Sequence, residues 1–237
     1  MKLNLKRISL LLISGAVLFS FCGCTSVKCM VAKGKLRKYM KEAYPDDSFT
    51  WEEGWGDSGE YITSYEMTGH SKKFPDAEIH ASCSRYTEYD DDWSFSSTYP
   101  CYLYQQDVEA YIRDIAERVF GACKVYEVID PYNTDSYQES VSVEDYIKQT
   151  RINVEIFLPP DGLSKEEAAD GIKQLETLLG EKGMYKVKGN VRIITDQETY
   201  DNTVSENVPI SHSVNNVLVV TAGELNSANA KSDIEYD

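Results

Sequence analysis

Apolar and polar positions are patterned most regularly in the second half of the chain, where they predict a strand, a helix and a second strand. Residues 151–158 place apolar side chains at every second position, as a β-strand does. Ser164 and Glu167 have the spacing of a capping box, and Gly183 is expected to end the helix that follows. The apolar positions of that helix are Ala168, Ile172, Leu175 and Leu179. The chain then returns as a predicted strand over residues 185–195, which completes one strand–helix–strand unit.

The first half predicts a helix, several strands and a second helix. The first helix is expected over residues 33–44 and ends before Pro45, because proline disfavours helical backbone in the preceding residue. Its inward side is predicted to carry Leu36, Tyr39, Met40 and Ala43. Strands are expected near residues 49–53, 60–68, 77–86, 93–104, 123–129 and 217–221, with a turn over 54–59 and a helix over 106–120. The fold class that follows is α+β, a mostly antiparallel sheet with about three packed helices.

The first residues have the pattern of a secretion signal. Lys2, Lys6 and Arg7 precede an uncharged, largely apolar stretch of 14 residues, Ile8 to Phe21. A spanning helix needs about 20 residues, so this stretch has the length of a signal peptide instead. It ends in the sequence Phe21-Cys22-Gly23-Cys24.

This ending resembles the lipobox of bacterial lipoproteins, in which small residues and a Cys directly follow the apolar stretch. The resemblance implies a signal peptide over residues 1–23 and a diacylglyceryl group on Cys24, the new N-terminus after cleavage. Two acyl chains hold a protein stably on a bilayer, so the mature chain is expected to be anchored to the cell membrane and to face outward. A secreted protein cut nearby, or an uncleaved anchor, is the alternative.

Charge is divided sharply along the chain. Residues 1–41 contain nine basic residues and no acidic one, whereas residues 42–237 carry a net charge of −24. The basic residues Lys28, Lys33, Lys35, Arg37 and Lys38 are expected to aid contact with anionic lipid. The alternative is that they are the solvated face of the first helix. The acidic remainder argues against binding to nucleic acid.

The predicted organisation has four parts, of which the first is the signal peptide over residues 1–23. Residues 24–32 form a basic tether next to the membrane, and residues 33–222 form the folded body, with a candidate sub-boundary near 130–150. Residues 223–237 are small and polar and are expected to be a flexible tail.

Four cysteines remain after the predicted processing: Cys29, Cys83, Cys101 and Cys123. Outside the cytoplasm an even number of cysteines favours disulfides. A bond between Cys83 and Cys101 is predicted, because adjacent strands could bring these two residues together. The alternative is that the thiols are free and buried.

Known catalytic patterns do not fit the sequence. Gly56-Asp57-Ser58-Gly59 copies the tetrapeptide around the nucleophile of trypsin-like proteases, but that family places its His base upstream, and the first His here is His70. A dyad of Cys83 and His80 is argued against because the two would point to opposite faces of a strand. No catalytic residue, metal ligand or cofactor is predicted.

Aromatic residues give the remaining functional signal. Tyr occurs 17 times, with eight between Tyr61 and Tyr111, near Trp51, Trp55 and Trp93. Tyr and Trp are enriched at recognition surfaces, although Tyr also simply packs well in β-structure. The aromatic bias is therefore consistent with a binding surface and equally with ordinary sheet packing.

Two segments beyond the leader carry a second resemblance. Tyr44-Pro45 closes the first helix, and Tyr102-Leu103-Tyr104 leads into a helix that ends at Val119-Phe120-Gly121. These resemble uncharacterised lipoproteins and secreted proteins of Gram-positive Firmicutes. The resemblance implies a surface location but does not imply any particular activity. The leading hypothesis is a non-catalytic binding module for an envelope protein or glycan. The alternatives are an envelope hydrolase with an acidic site and, less favoured, a ligand-binding lipoprotein associated with transport.

Overall fold

The structure is a computed structural model that describes residues 27–52, 54–86, 92–130, 141–194, 196–204, 217–221 and 235–236. These residues divide into two units, one ending at Tyr99 and the other beginning at Pro100. No helix among the described residues is long and apolar enough to cross a membrane.

The first unit contains one helix and five antiparallel strands. Helix α1 covers residues 27–43, and the strands are β1 (Phe49–Trp51), β2 (Trp55–Ser58), β3 (Ile62–Ser71), β4 (Ile79–Tyr86) and β5 (Ser94–Ser97). The strand order is β1-β3-β4-β5, and β2 also pairs with β3. The long strand β3 therefore holds this sheet together.

Helix α1 packs on one face of this sheet. Ala32, Leu36 and Met40 are fully buried at intervals of four residues. Of the predicted inward residues, Leu36 and Met40 are therefore buried, whereas Tyr39 and Ala43 are only half-buried. Tyr39 of the helix stacks on Phe95 of β5, with ring centroids 4.5 Å apart. The helix also includes residues 27–32, so most of the predicted tether is helical.

The second unit holds four helices and five strands. They are α2 (Tyr99–Phe120, whose first residue ends the first unit), β6 (Lys124–Glu127), α3 (Val143–Gln149), β7 (Ile152–Leu158), α4 (Lys165–Glu181), β8 (Val187–Ile194), α5 (Gln197–Asn202), β9 (Val217–Thr221) and β10 (Glu235–Tyr236). The strand order is β10-β9-β8-β7-β6. Strands β7 and β8 are parallel and the other pairs are antiparallel. The predicted strand–helix–strand unit is therefore confirmed as β7–α4–β8.

Helix α4 forms as its sequence predicts. The Ser164 backbone N–H donates to the Glu167 carboxylate at 2.9 Å, and the Glu167 N–H donates back to the Ser164 hydroxyl at 3.2 Å. These two bonds satisfy donors that a helix start otherwise leaves unpaired. The four predicted inward residues are all fully buried, and Gly183 takes a positive φ of 76° just after the helix.

Helix α5 is held at its end by a lysine of another strand. The Lys124 ammonium of β6 donates to the backbone carbonyls of Tyr200, Asp201 and Thr203 at 2.6 to 3.0 Å. Carbonyl groups at a helix end lack partners within the helix, so this cation satisfies several of them at once.

The α+β class and the mostly antiparallel pairing are confirmed. The described residues contain five helices rather than about three, because the short helices α3 and α5, of seven and six residues, were not among the predicted helices. Residues 98–104 were predicted as strand but lie in or beside α2. Pro100 explains the difference, since proline is favoured in the first turn of a helix, where its missing N–H costs nothing.

Two further segments differ from their predictions. The glycine-rich segment predicted as a turn contains strand β2, and Gly56 permits it because a Cβ there would lie 2.7 Å from the Tyr65 ring. Glu235 and Tyr236, predicted to belong to a flexible tail, pair as a strand with Val220 and Thr221.

Candidate functional site

A cavity of about 420 Å³ lies in the first unit, between the C-terminal half of α1 and strand β1. Its lining residues are Arg37, Lys41, Asp47, Ser48, Phe49 and Trp51. The volume lies within the range typical of small-molecule sites. All six residues come from one short segment of the chain, which leaves the helix, turns and enters the sheet.

The helix supplies two cations to this cavity. Arg37 and Lys41 are four residues apart, so they lie on the same side of α1 one turn from each other. Both are exposed, whereas Leu36 and Met40 beside them in sequence are fully buried. The cations therefore face the cavity from outside the core.

The turn after the helix fixes one carboxylate. Asp47 accepts hydrogen bonds from the Tyr99 hydroxyl at 2.7 Å, the Ser48 N–H at 2.7 Å and the Lys73 N–H at 3.2 Å. Desolvation acts to raise the pKa of Asp47, but these donors outweigh it and hold the pKa below its usual value. Asp47 is therefore an ionised, structurally occupied carboxylate at neutral pH and a poor proton donor.

Two aromatic rings also line the cavity and form an aromatic wall. Phe49 and Trp51 are two residues apart on β1, so they share a face, and their rings stack with centroids 5.2 Å apart. The rings of Tyr99 and Phe49 pack in an edge-to-face arrangement with centroids 5.0 Å apart, which adds a further contact to the wall. Gly69 of β3 lets Trp51 lie close, because a Cβ there would come within 2.3 Å of the Thr50 carbonyl oxygen and 2.9 Å of the indole.

The chemistry of this cavity suits binding. Two cations can pair with a negatively charged group, and the guanidinium of Arg37 can do so through two parallel hydrogen bonds. The stacked rings offer a flat apolar surface to the rest of the ligand. The lining includes neither His nor Cys, and its one carboxylate is engaged by three donors.

The second unit holds the buried carboxylates that an acidic hydrolase would need. Burial raises the pKa of Glu109, and its carboxylate accepts the backbone N–H of Glu127 at 3.0 Å. Glu155 and Arg192 form an ion pair in which the carboxylate Oε2 lies 2.7 Å from the guanidinium Nε, at an angle that is not that of an aligned hydrogen bond. The side chain of Glu155 is 9% exposed and that of Arg192 is 3% exposed. Asn190 also donates to Glu155 at 2.7 Å. Glu109 is thus held by a backbone N–H of β6, and Glu155 by Arg192 and Asn190, as structural polar residues are.

The predicted membrane-facing residues are only partly described. Cys24 lies outside the described residues. Lys28, Lys35, Arg37 and Lys38 are exposed on α1, and Lys38 forms an ion pair with Glu42 at 3.6 Å. Lys33 is half-buried, with its ammonium 6.0 Å from the centre of the Tyr65 ring.

The predicted disulfide is not present in the structure. Cys83 and Cys101 are both buried and neither forms a disulfide, and Cys101 lies in α2 rather than on a strand beside β4. The Cys83 thiol instead donates to the Ala32 carbonyl of α1 at 3.5 Å. Burial raises the pKa of Cys83 and of Cys123 to about 12, so neither is a reactive thiolate.

The histidines do not assemble a catalytic or metal site within the described part of the chain. Cys83 and His80 do lie on opposite faces of β4, as predicted. His80 pairs with Glu78 at 3.1 Å and His70 lies 3.9 Å from Glu52. Among the described residues there is no group of three or more His, Cys, Asp or Glu placed to hold a metal ion. His212 lies outside those residues.

Asp47, Phe49 and Lys41 line the cavity but were not predicted as site residues. Two signals could have found them. The change from basic to acidic sequence occurs between Lys41 and Glu42, and the aromatic residues Phe49 and Trp51 follow within ten residues. Their spacing on one strand already places both rings on the same face, and the pairing of β1 with β3 holds that strand in the sheet.

Comparisons with known proteins leave the family open. No model of a known protein family matches the chain, and no curated protein matches it. A crystal structure of a DUF5037 family protein from Ruminococcus gnavus is similar at 13% identity and a TM-score of 0.32, over 81% of this chain and 92% of that one.

Proposed function

We propose that this protein is a lipid-anchored, outward-facing module that binds an anionic glycan of the cell envelope. The leader, the lipobox-like ending at Cys24 and the basic residues after it support the location. The cavity between α1 and β1 supports the binding role, and it is the single observation that carries the choice of ligand.

Charge and shape together favour a glycan that carries carboxylate or phosphate groups. Arg37 and Lys41 supply the complementary charge, and the Phe49–Trp51 wall can stack against the flat apolar face of a sugar ring. From Glu42 onward the chain carries a net charge of −24, which repels anions over most of its surface. Electrostatic attraction would therefore guide an anionic polymer to the basic helix beside the cavity.

Binding can be tested with defined oligosaccharides. Titration calorimetry would compare an oligogalacturonate, a phosphate-bearing glycan fragment and a neutral oligosaccharide of similar length. We expect the anionic probes to bind and Trp51→Ala to weaken them about tenfold, the equivalent of one lost aromatic contact. Arg37→Gln with Lys41→Gln should weaken the anionic probes selectively.

Lys38→Gln is the matched control, because Lys38 is an exposed cation of the same helix that does not line the cavity. Equal weakening by this control would show that general charge alone is measured. Failure of the unaltered protein to bind any anionic probe would refute the proposed ligand.

The anchor is tested separately by labelling cells with radioactive palmitate. Cys24→Ala should abolish the label, whereas Cys29→Ala, five residues further along the chain, should keep it. Undiminished label in the Cys24→Ala chain would end the lipoprotein proposal without bearing on the cavity.

A further inference from the structure

The outer face of helix α1 begins with exposed apolar side chains. Val27, Met30 and Val31 are 58%, 67% and 51% exposed. Together with Gly34 they lie at intervals of three and four residues, so they form one side of the helix. We call these four residues the outer apolar patch.

The outer apolar patch lies on the side of α1 that faces away from the core, where a helix that only covers a sheet has no need of apolar residues. The core-facing side of α1 is already supplied by Ala32, Leu36 and Met40, which are fully buried. The opposite side of such a helix is ordinarily polar. Beyond Gly34 it does become polar, since Arg37, Lys38 and Lys41 follow.

Basic residues adjoin the patch and acidic ones are absent from this stretch. Lys28 and Lys35 are exposed beside it, and the first acidic residue of the whole chain is Glu42. Apolar side chains next to Lys residues are the pattern of a helix that lies in the interface of an anionic bilayer. A protein partner would not by itself require this complete absence of carboxylates.

The distance to the proposed anchor favours the same surface. Val27 is three residues after Cys24. Three residues span at most about 11 Å even when fully extended, so an acyl chain at Cys24 would keep Val27 close to the headgroups. This step depends on the lipidation proposed above, whereas the exposure and the charge pattern do not.

We propose that the outer apolar patch of α1 inserts into the interface of an anionic lipid bilayer, with Lys28 and Lys35 at the headgroups. The helix then makes a second contact with the membrane beside the lipid anchor. Its C-terminal half, which borders the cavity, lies further from the bilayer surface.

Gly34 is a suitable site for a probe of insertion, because a Cβ there meets nothing within 4 Å. In a full chain carrying Cys29→Ser, Gly34→Cys would be labelled with a nitroxide and bound to phosphatidylglycerol vesicles. The matched probe is Glu42→Cys, on the same helix and about 12 Å further along. We expect the ratio of oxygen to nickel-chelate accessibility to be several-fold higher at position 34 than at position 42.

Adding Val27→Asn and Val31→Asn should lower the ratio at position 34 to that at position 42. Val27→Ile with Val31→Leu should leave it high, since these changes keep the patch apolar. Cys29→Ser chains without an added cysteine, labelled in parallel, correct for reaction at other thiols.

Equal accessibility at positions 34 and 42 in the unaltered patch would overturn the proposal. Spin–spin broadening between labels at position 34 would overturn it too, by identifying a second copy as the occupant. The mass of the N-terminal peptide reports separately whether Cys24 is acylated. A retained leader also attaches the chain to the bilayer, so insertion can be read whether or not lipidation occurs.

Discussion

The sheet of the first unit leaves one face open to water, whereas strand β7 of the second sheet is buried on both faces along nearly its whole length. Along β3, buried residues alternate with more exposed ones from Ile62 to Ser71. Along β7, every residue except Asn153 is buried. The pairing explains the difference, since antiparallel sheets tolerate one solvated face and parallel pairs are normally covered on both.

The difference in burial determines how polar side chains on the second face of each sheet are paired. The open face of the first sheet carries hydroxyl groups such as Ser82 and Ser96, whose oxygens lie 2.8 Å apart and can also reach water. The second face of the other sheet carries Glu155, with which Asn190 and Arg192 are both paired. Buried polar side chains must therefore pair with one another, whereas exposed polar side chains can also hydrogen-bond to water.

Removing one partner of the buried ion pair should have the largest effect on stability. Arg192→Leu leaves the Glu155 charge without its cation in a buried position, which we expect to cost about 3–5 kcal/mol of unfolding free energy. Urea unfolding followed by circular dichroism measures this loss. Glu155→Leu combined with Arg192→Leu should recover most of it, and a single-variant cost below about 1 kcal/mol would mean that the face is wet.

Tryptophan fluorescence separates this effect from the first unit. All three Trp residues, Trp51, Trp55 and Trp93, belong to the first unit. If the units unfold independently, Arg192→Leu should leave the fluorescence transition unchanged. A parallel shift of both transitions would show that the two units unfold as one.

The close approach of β1 to β3 should give the next largest effect. Gly69→Ala adds a methyl group 2.3 Å from the Thr50 carbonyl, so β1 must shift, at about 1–3 kcal/mol. The fluorescence transition should move to lower urea concentration, and the Trp51 wall of the cavity should be displaced. An unchanged midpoint would contradict the close pairing of these strands.

Lowering the pH should destabilise the first unit, because the carboxylate of Asp47 becomes protonated. Its folded-state pKa lies below the ordinary value of 3.8, so the carboxylate contributes stability above that value and loses it as pH falls through the lower folded-state value. We expect Asp47→Asn to flatten the decline of the fluorescence midpoint between about pH 5 and pH 2. An identical decline in both proteins would show that Asp47 is not held by its three donors.

The smallest expected effect is a gain in stability. Gly34→Ala places a methyl group in open space on α1 and reduces the freedom of the unfolded chain, for about 0.5–1 kcal/mol. It is the counterpart of Gly69→Ala, because the same substitution is made where there is room. Loss of stability in this variant would mean that the outer side of α1 is covered.

Local signals predicted the second unit better than the first. The Ser164–Glu167 capping box and the spacing of its apolar residues describe α4 completely, because every contact involved is close in sequence. The start of α2 was missed because Pro100 follows a strand-like run of Ser and aromatic residues. Strand β2 was missed because its glycines suit a turn and become a strand only through close contact with β3.

The candidate site could not be predicted from sequence patterns, because contacts that form it join residues far apart in the chain. Asp47 and Tyr99 are 52 residues apart and share a hydrogen bond, and the Tyr99 ring also packs against Phe49. Nothing in the local sequence fixes either contact. The charge boundary after Lys41 marked the region, but only the fold shows that a cavity forms there.

The lysine that holds the end of α5 has a consequence for folding kinetics. Lys124 bonds to carbonyls 76 or more residues later in the chain, so the contact closes a long loop and cannot form until the intervening strands are in place. Helix α5 is only six residues long and would not be stable alone. It is therefore expected to order late during folding and to exchange its amide hydrogens early, as a local opening that leaves the β7–α4–β8 core intact.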